Sequence, residues 1–331
     1  MNERSGRIEW IDVMRGIAMI MVIYGHIDGN SHIGQFMYMF HVPAFFFISG
    51  YLFNPQLSIK EHIKKRVCRL LVPFILFGTT MILINWCVHI ILGLQYDALH
   101  YIKDMIFQVR GTDSRIWFLP CLFLAECIMV IIFAIKNIYL RMTLFGLVIL
   151  FGWLNIFLFH KDLPWYPDTA AVAISLMLIG YFLKSWKRNN LLLKCGTFVI
   201  SAFVCISVYF FNLKFGYSID MVMNHYGNVV LFYCGAISGI VLLMNISNIL
   251  NVKLLKYIGK NTICFLCLNT IAIKIVEKGL SLLMMISQIS SFDKIFVYPW
   301  IVTILVIVIL IPSSYLINKF IPFYVGNMKC S

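Results

Sequence analysis

Asp12, Arg15 and His26 stand within the first long apolar run of the chain. Charge inside such a run is costly, so it marks a functional site or a buried pair. The 11 steps from Arg15 to His26 turn to within about 20° of three full helical turns. The 14 steps from Asp12 to His26 come within about 40° of four turns. All three are therefore expected on one helix face, turned into the protein rather than toward lipid. Arg15 and His26 would lie about 16 Å apart along the axis. Asp12 and Arg15, at i and i+3, suit a structural ion pair. His26 has no such partner on its own helix. Its imidazole suits a general base and equally a hydrogen-bonded packing residue; spacing does not separate the two.

Other candidates follow along the chain. His41 lies two residues before Pro43, which frees a backbone carbonyl and can kink a helix. That makes His41 a second candidate for the site, as a ligand-binding group or an alternative base. Ser49 and Gly50 read as close-packing residues at a helix interface. Arg66 and Arg69 stand one turn apart at the entrance to the third apolar run. Two guanidiniums on one face can grip phosphate in fork geometry, whereas Lys60, Lys64 and Lys65 read as a basic anchor. Trp117 is expected to line a cavity or to pack. Glu126, inside the fourth run, would pair with Arg15 or another buried cation, or serve a ligand. Asp113 and Arg115 read as rim charges, in solvent or against a ligand.

The elements that position these residues are set by composition. The chain has 331 residues, of which 61% are hydrophobic and only 12% charged. A soluble domain of this size needs more polar surface, so most of the chain belongs in lipid. Runs of about 20 apolar residues can span a bilayer. Ten such runs are found: 8–27, 33–53, 69–92, 116–135, 142–159, 169–184, 191–211, 226–247, 258–276 and 295–318. The expected fold is an all-α polytopic membrane helix bundle of about ten transmembrane helices, a single membrane domain over 1–331. With both termini cytoplasmic, the inner loops hold 18 Lys and Arg and the outer loops 8, the bias of the positive-inside rule. Tyr96–Gln108 is too short to span and suits an amphipathic helix in the interface, as does 277–291. Topology accounts for the net charge of +13, so nucleic acid is not expected as a partner; the lipid bilayer is. Most of the ten cysteines, Cys68 among them, lie in or beside apolar runs and read as small hydrophobes. Cys264 and Cys267 form a CxxC that no second pair or nearby His completes, so no metal is expected.

Several of these phrases together resemble one family. Arg15 and His26, separated by ten residues, resemble the R-x10-H signature of the acyltransferase 3 family of multi-span membrane O-acyltransferases, many of which acetylate bacterial surface glycans. Phe45–Phe53 resembles the family's FFFISGYLF segment, Arg66–Pro73 its RxxRLLxP segment, Trp117–Leu119 its WFL, and Ile258–Thr262 its IGxxS stretch. The motifs fall in family order across roughly residues 8–270. Thr262 stands where Ser is usual, and Asn269 near where many members carry a late His, which bears on the choice of acceptor. The resemblance implies an acyl-CoA co-substrate, most often acetyl-CoA, with no permanently bound cofactor. It implies a glycan or carbohydrate acceptor and a multi-pass place in the cell membrane. It casts His26 and Arg15 as catalytic, Arg66 and Arg69 as donor-binding, and His41, Trp117 and Glu126 as substrate-binding, with Asp12 structural. The rival reading is a transporter or exporter of glycan or lipid-linked sugar. Such proteins often show paired repeats and helices broken at matching positions, and no matching halves are seen here.

Overall fold

The computed structural model describes residues 8–110, 116–186, 193, 195–287 and 298–327. Among them there is no strand, only an isolated antiparallel bridge between Asp220 and His225. The helices are α1 (Glu9–Asp28), α2 (His32–Tyr38), α3 (His41–Tyr51), α4 (Ile59–Arg66), α5 (Val72–Ile91), α6 (Ala98–Phe107), α7 (Phe118–Phe133), α8 (Ile138–Leu154), α9 (Pro167–Ser185), α10 (Cys195–Phe215), α11 (Val229–Ile249), α12 (Lys253–Lys260), α13 (Thr262–Ser287) and α14 (Tyr298–Phe320). Single π-helical turns follow α4 (Val67–Leu71) and α8 (Asn155–Phe159), and a 3-10 turn, Pro322–Val325, follows α14.

Each expected apolar run falls on helix. Among the described residues eight helical stretches are long and apolar enough to cross a membrane, where ten were expected. The other two runs differ for visible reasons: α7 has only 16 residues, and α13 carries Lys274, Glu277 and Lys278 in its middle. The amphipathic helix expected at Tyr96–Gln108 is α6, capped by the Asp97 side chain on the His100 amide at 3.1 Å. The second expected at 277–291 is not separate: α13 continues unbroken to Ser287, and 288–291 lie outside the described residues. Cys68 is disulfide-bonded rather than a simple packing thiol. Cys264 and Cys267 are free and buried.

The second apolar run is broken rather than kinked, with α2 ending at Tyr38 and α3 starting at His41. Pro43 is the cause. Its missing N–H removes the bond to the carbonyl four residues back, and its ring crowds that carbonyl. That carbonyl belongs to Met39, and the break sits at Met39–Phe40.

The chain divides into two compact units. One takes in the chain through Ser49, Phe182–Asp220 and His225–Ser314; the other takes Gly50–Tyr181, Met221–Asn224 and the chain from Tyr315. In the first unit α12 lies close against α1. A Cβ on Gly16 would collide with the Leu255 carbonyl, and one on Gly259 with the Asp12 carbonyl, so only glycine permits the approach. Met19, Ile23, Ile258, Phe265, Val302 and Val306 form its core around α1. In the second unit Gly50 meets the Met177 backbone just as tightly, the close-packing role read from sequence. Ser58 and Glu61 close a capping box at the start of α4. The 3-10 turn returns to α5, with the Tyr324 hydroxyl 3.2 Å from that of Thr80.

Candidate functional site

The first unit holds Asp12, Arg15, His26 and His41. Because α1 is unbroken from Glu9 to Asp28, the axial separation of Arg15 and His26 stands at about 16 Å. Asp12 is buried beneath α12, Arg15 is half-buried, and His26 is exposed in the last turn. The sequence reading enclosed that ring within the protein. It is instead accessible, because the helix stops two residues later at Asp28.

His41 opens α3 and is 3% exposed. Its Nδ1–H donates to the Met37 carbonyl at 2.7 Å, a group uncovered by the helix break. A carbonyl can only accept, so Nδ1 carries the proton and Nε2 holds the lone pair of the neutral ring. Tyr38 connects the two histidines. Its hydroxyl donates to the Gly25 carbonyl at 3.3 Å. Its ring stands edge-on to His41 with centroids 4.9 Å apart. His26 and His41 lie within electrostatic reach of each other.

The second unit holds the other candidates. His62 and Arg66, at i and i+4 on α4, share a face and meet one oxygen of Glu126 on α7. The His62 Nε2–Oε2 distance is 2.8 Å and the Arg66 Nε–Oε2 distance 3.0 Å. Glu126 is fully buried, and Arg66 is 22% exposed. The buried cation expected for Glu126 is thus Arg66, joined by a histidine. Arg69 does not share this face. The π-helical turn inserts extra backbone between the two arginines and leaves Arg69 exposed.

A third cluster gathers around Arg110, just after α6. Its Nη2 donates to Asp168 Oδ1 at 2.7 Å and to Thr169 Oγ1 and Asn224 Oδ1 at 2.8 Å. Its Nε donates to the Val222 carbonyl at 2.9 Å. Asp168, fully buried at the start of α9, also accepts from the side-chain amides of Asn155 and Asn224, each at 2.8 Å, and from the Thr169 amide. The Arg110 guanidinium lies 5.3 Å from the centre of the Tyr166 ring. Half-buried Trp117 lies 5.4 Å from the same ring and edge-on to Phe118. Asp113 and Arg115 lie outside the described residues.

The profile of the acyltransferase 3 family, an acyltransferase domain, matches residues 8–319. The chain belongs to the acyltransferase 3 family. No curated protein and no solved structure matches it. It is accordingly a membrane acyltransferase of helical build.

Two positions that the sequence reading set apart have defined surroundings in this acyltransferase. Thr262 turns its hydroxyl to the Gly259 carbonyl at 2.7 Å, at the corner between α12 and α13. Asn269 is buried on α13, and its Oδ1 accepts from the Thr270 hydroxyl at 3.0 Å. Its Nδ2 has no hydrogen-bond partner among the described residues.

Sequence reasoning passed over Tyr38, His62, Arg110 and Asp168. His62 had a usable signal, because it stands four residues before Arg66 on a capped helix. Asp168 had one in Pro167-Asp168-Thr169, a helix start with an acid in its first turn. Arg110 had none, being one basic residue among several between apolar runs.

Proposed function

We propose that this acyltransferase moves an acyl group, acetyl in the first instance, from acyl-CoA to a sugar hydroxyl of a cell-surface or exported glycan. The observation that carries the reading is the Arg15–His26 pair. An intact family signature lies on one unbroken helix, with the imidazole accessible and the guanidinium about 16 Å below it. An accessible imidazole can take the proton of an attacking alcohol.

In this mechanism Arg66 and Arg69 hold phosphates of the CoA. The pairing with Glu126 uses one of the five N–H groups of Arg66 and fixes the side chain at its Nε edge. Arg15 stabilises the negative charge that develops at the thioester carbonyl, a contact strengthened by the low-dielectric interior. His26 removes the acceptor proton as the alcohol oxygen bonds to the acyl carbon. The C–S bond then breaks, and the proton leaves with the CoA thiol. The same residues serve a relay in which the acyl group rests first on an imidazole nitrogen. His41, with Nε2 unprotonated when neutral, binds the acceptor or acts as a second base. Donor supply from the cytoplasm and an acceptor at the outer face of the cell membrane follow from the family resemblance, and the charge bias of the loops sets the orientation of the helices between them.

The test is transfer of labelled acetyl from acetyl-CoA to a glycan acceptor by the purified protein. His26→Ala is expected to lower the rate by about 100-fold or more while the protein stays inserted and folded. Unchanged acylation by a well-folded His26→Ala protein would remove the base assignment. Absence of any transfer by the unmodified protein would favour an exporter without acyl chemistry.

A further inference from the structure

We propose that Tyr38 is a positioning residue for the base: its hydroxyl caps the helical turn that carries His26 and holds that turn in register with His41. The use of this clamp rests on the acyl-transfer reading above; the clamp itself does not. All the residues concerned lie in the first unit. The last four carbonyls of a helix lack an intrahelical N–H partner, and in α1 they belong to Gly25, His26, Ile27 and Asp28. Side chains at the cap and end of α2 take two of them. The Ser31 hydroxyl donates to the Asp28 carbonyl at 2.8 Å, and the Tyr38 hydroxyl to the Gly25 carbonyl at 3.3 Å. His26 stands between these two anchored carbonyls and remains exposed.

The fit of α2 against the end of α1 comes from spacing. Ser31 also accepts from the Gly34 amide at 3.1 Å and so starts α2. Ser31, Gly34 and Tyr38, at i, i+3 and i+7, follow one stripe of the helix, and that stripe meets α1. A Cβ on Gly34 would collide with the Asp28 carbonyl and with Gly29. Gly25 and Gly29, one turn apart, leave the groove that the Tyr38 ring fills. A Cβ on Gly25 would stand 2.9 Å from Tyr38 Cε2, and one on Gly29 would stand 3.0 Å from the same atom and 3.1 Å from the hydroxyl oxygen. A side chain at either place would push the ring aside.

Met37 and Tyr38 divide the work. The Met37 carbonyl holds His41 through Nδ1 at 2.7 Å, and the next residue holds the turn of His26. The Tyr38 ring also stands edge-on to His41. Two consecutive residues therefore tie both imidazole-bearing elements to the end of α2. A displaced catalytic group costs rate steeply, so the clamp bears on turnover. Packing alone would need no hydroxyl, since phenylalanine fills the same groove. The hydroxyl is thus the atom that separates positioning from packing.

The test uses the full-length protein in lipid nanodiscs, with labelled acetyl-CoA as donor and de-esterified fragments of the producing cell's surface polysaccharide as acceptor. Tyr38→Phe keeps the ring and removes the hydroxyl. It is expected to lower kcat per folded molecule by about three- to tenfold, the worth of one neutral hydrogen bond, with the KM for acetyl-CoA unmoved. Amide hydrogen exchange over residues 25–29 should quicken by a similar factor while the rest of α1 keeps its protection. Replacement of Tyr38 by 4-aminophenylalanine, which restores an N–H donor, should recover most of both losses. Gly25→Ala makes a better helix but displaces the ring, and should also lower kcat at an unchanged KM for acetyl-CoA. An unchanged kcat in Tyr38→Phe overturns the positioning role, as does a loss confined to the KM for acetyl-CoA or one that 4-aminophenylalanine does not restore. Faster exchange at the His26 turn of Tyr38→Phe, in a protein that transfers no acetyl group, would uphold the clamp and defeat the acyltransferase reading. Transfer that His26→Ala abolishes and Tyr38→Phe leaves untouched would do the reverse.

Discussion

Glu126 and Asp168 are both fully buried acids of the second unit, yet their surroundings differ. Asp168 accepts from one guanidinium, two amide side chains and a backbone N–H. Glu126 meets an imidazole and a guanidinium at the same oxygen. The first arrangement ties α9 to segments distant in sequence: the stretch after α6, the π-helical turn after α8, and the 221–224 tip. The second joins α4 to α7, and one of its partners, Arg66, still reaches solvent. A buried carboxylate held by many neutral donors and one deeply buried cation is a structural hub. One held by a partly exposed arginine is a device for aiming that arginine.

The largest effect expected from this contrast is at the hub. Asp168→Ala leaves Arg110 buried with only the exposed and more distant Asp162 carboxylate against it among the described residues, and breaking such a buried pair costs about 3–5 kcal/mol. Thermal unfolding in detergent should show the loss. Glu126→Ala is expected to cost clearly less, because Arg66 can turn to water. Equal destabilisation by the two substitutions would break the comparison, since neither the depth of the cation nor the number of donors would then matter.

The next effect concerns function more than stability. Glu126→Gln keeps the size but loses the charge that fixes Arg66. A hydrogen bond to a charged group is worth about 1.5–3 kcal/mol, and the low end applies where the partner is partly exposed. If Arg66 binds CoA phosphate, its disorder should raise the KM for acetyl-CoA several-fold with little change in kcat. A merely structural role would lower stability and leave that KM alone. Glu126→Asp, with charge retained, should recover part of the donor affinity.

This contrast also shows what the chain disclosed in advance. Long apolar runs placed the long helices, because burial in lipid demands such lengths, whereas polar α4 lies outside every run. Pro43 announced a disturbance, and the i−4 geometry of proline explains why it falls at Met39–Phe40. The Glu126–Arg66 contact was within reach as "a buried cation", since both residues sit on long helices with readable faces. The Arg110–Asp168 contact was not. Its members stand 58 residues apart, on a loop and a helix start whose position depends on left-handed backbone at Tyr166 and Gln108. No periodicity encodes that. Exposure of His26 escaped for another reason: the run ended at residue 27, within a residue of the end of α1, but helix phase gives a face and not what covers it.

The smallest predicted effect lies at the rim of the hub. The Asn155 side-chain amide donates to the Lys161 carbonyl and to Asp168, each at 2.8 Å, and its oxygen accepts from the Lys161 N–H at 3.3 Å. It touches neither Arg110 Nη1 nor the Asp162 carboxylate, but it fixes the backbone immediately before Asp162. Polar side-chain contacts in membrane proteins average about 0.6 kcal/mol, so Asn155→Ala should cost about 1 kcal/mol of stability for its several bonds. Acetyl-CoA affinity should not move, because the Glu126 device is untouched. Unchanged stability in Asn155→Ala would show that Arg110 and Asn224 hold Asp168 without it.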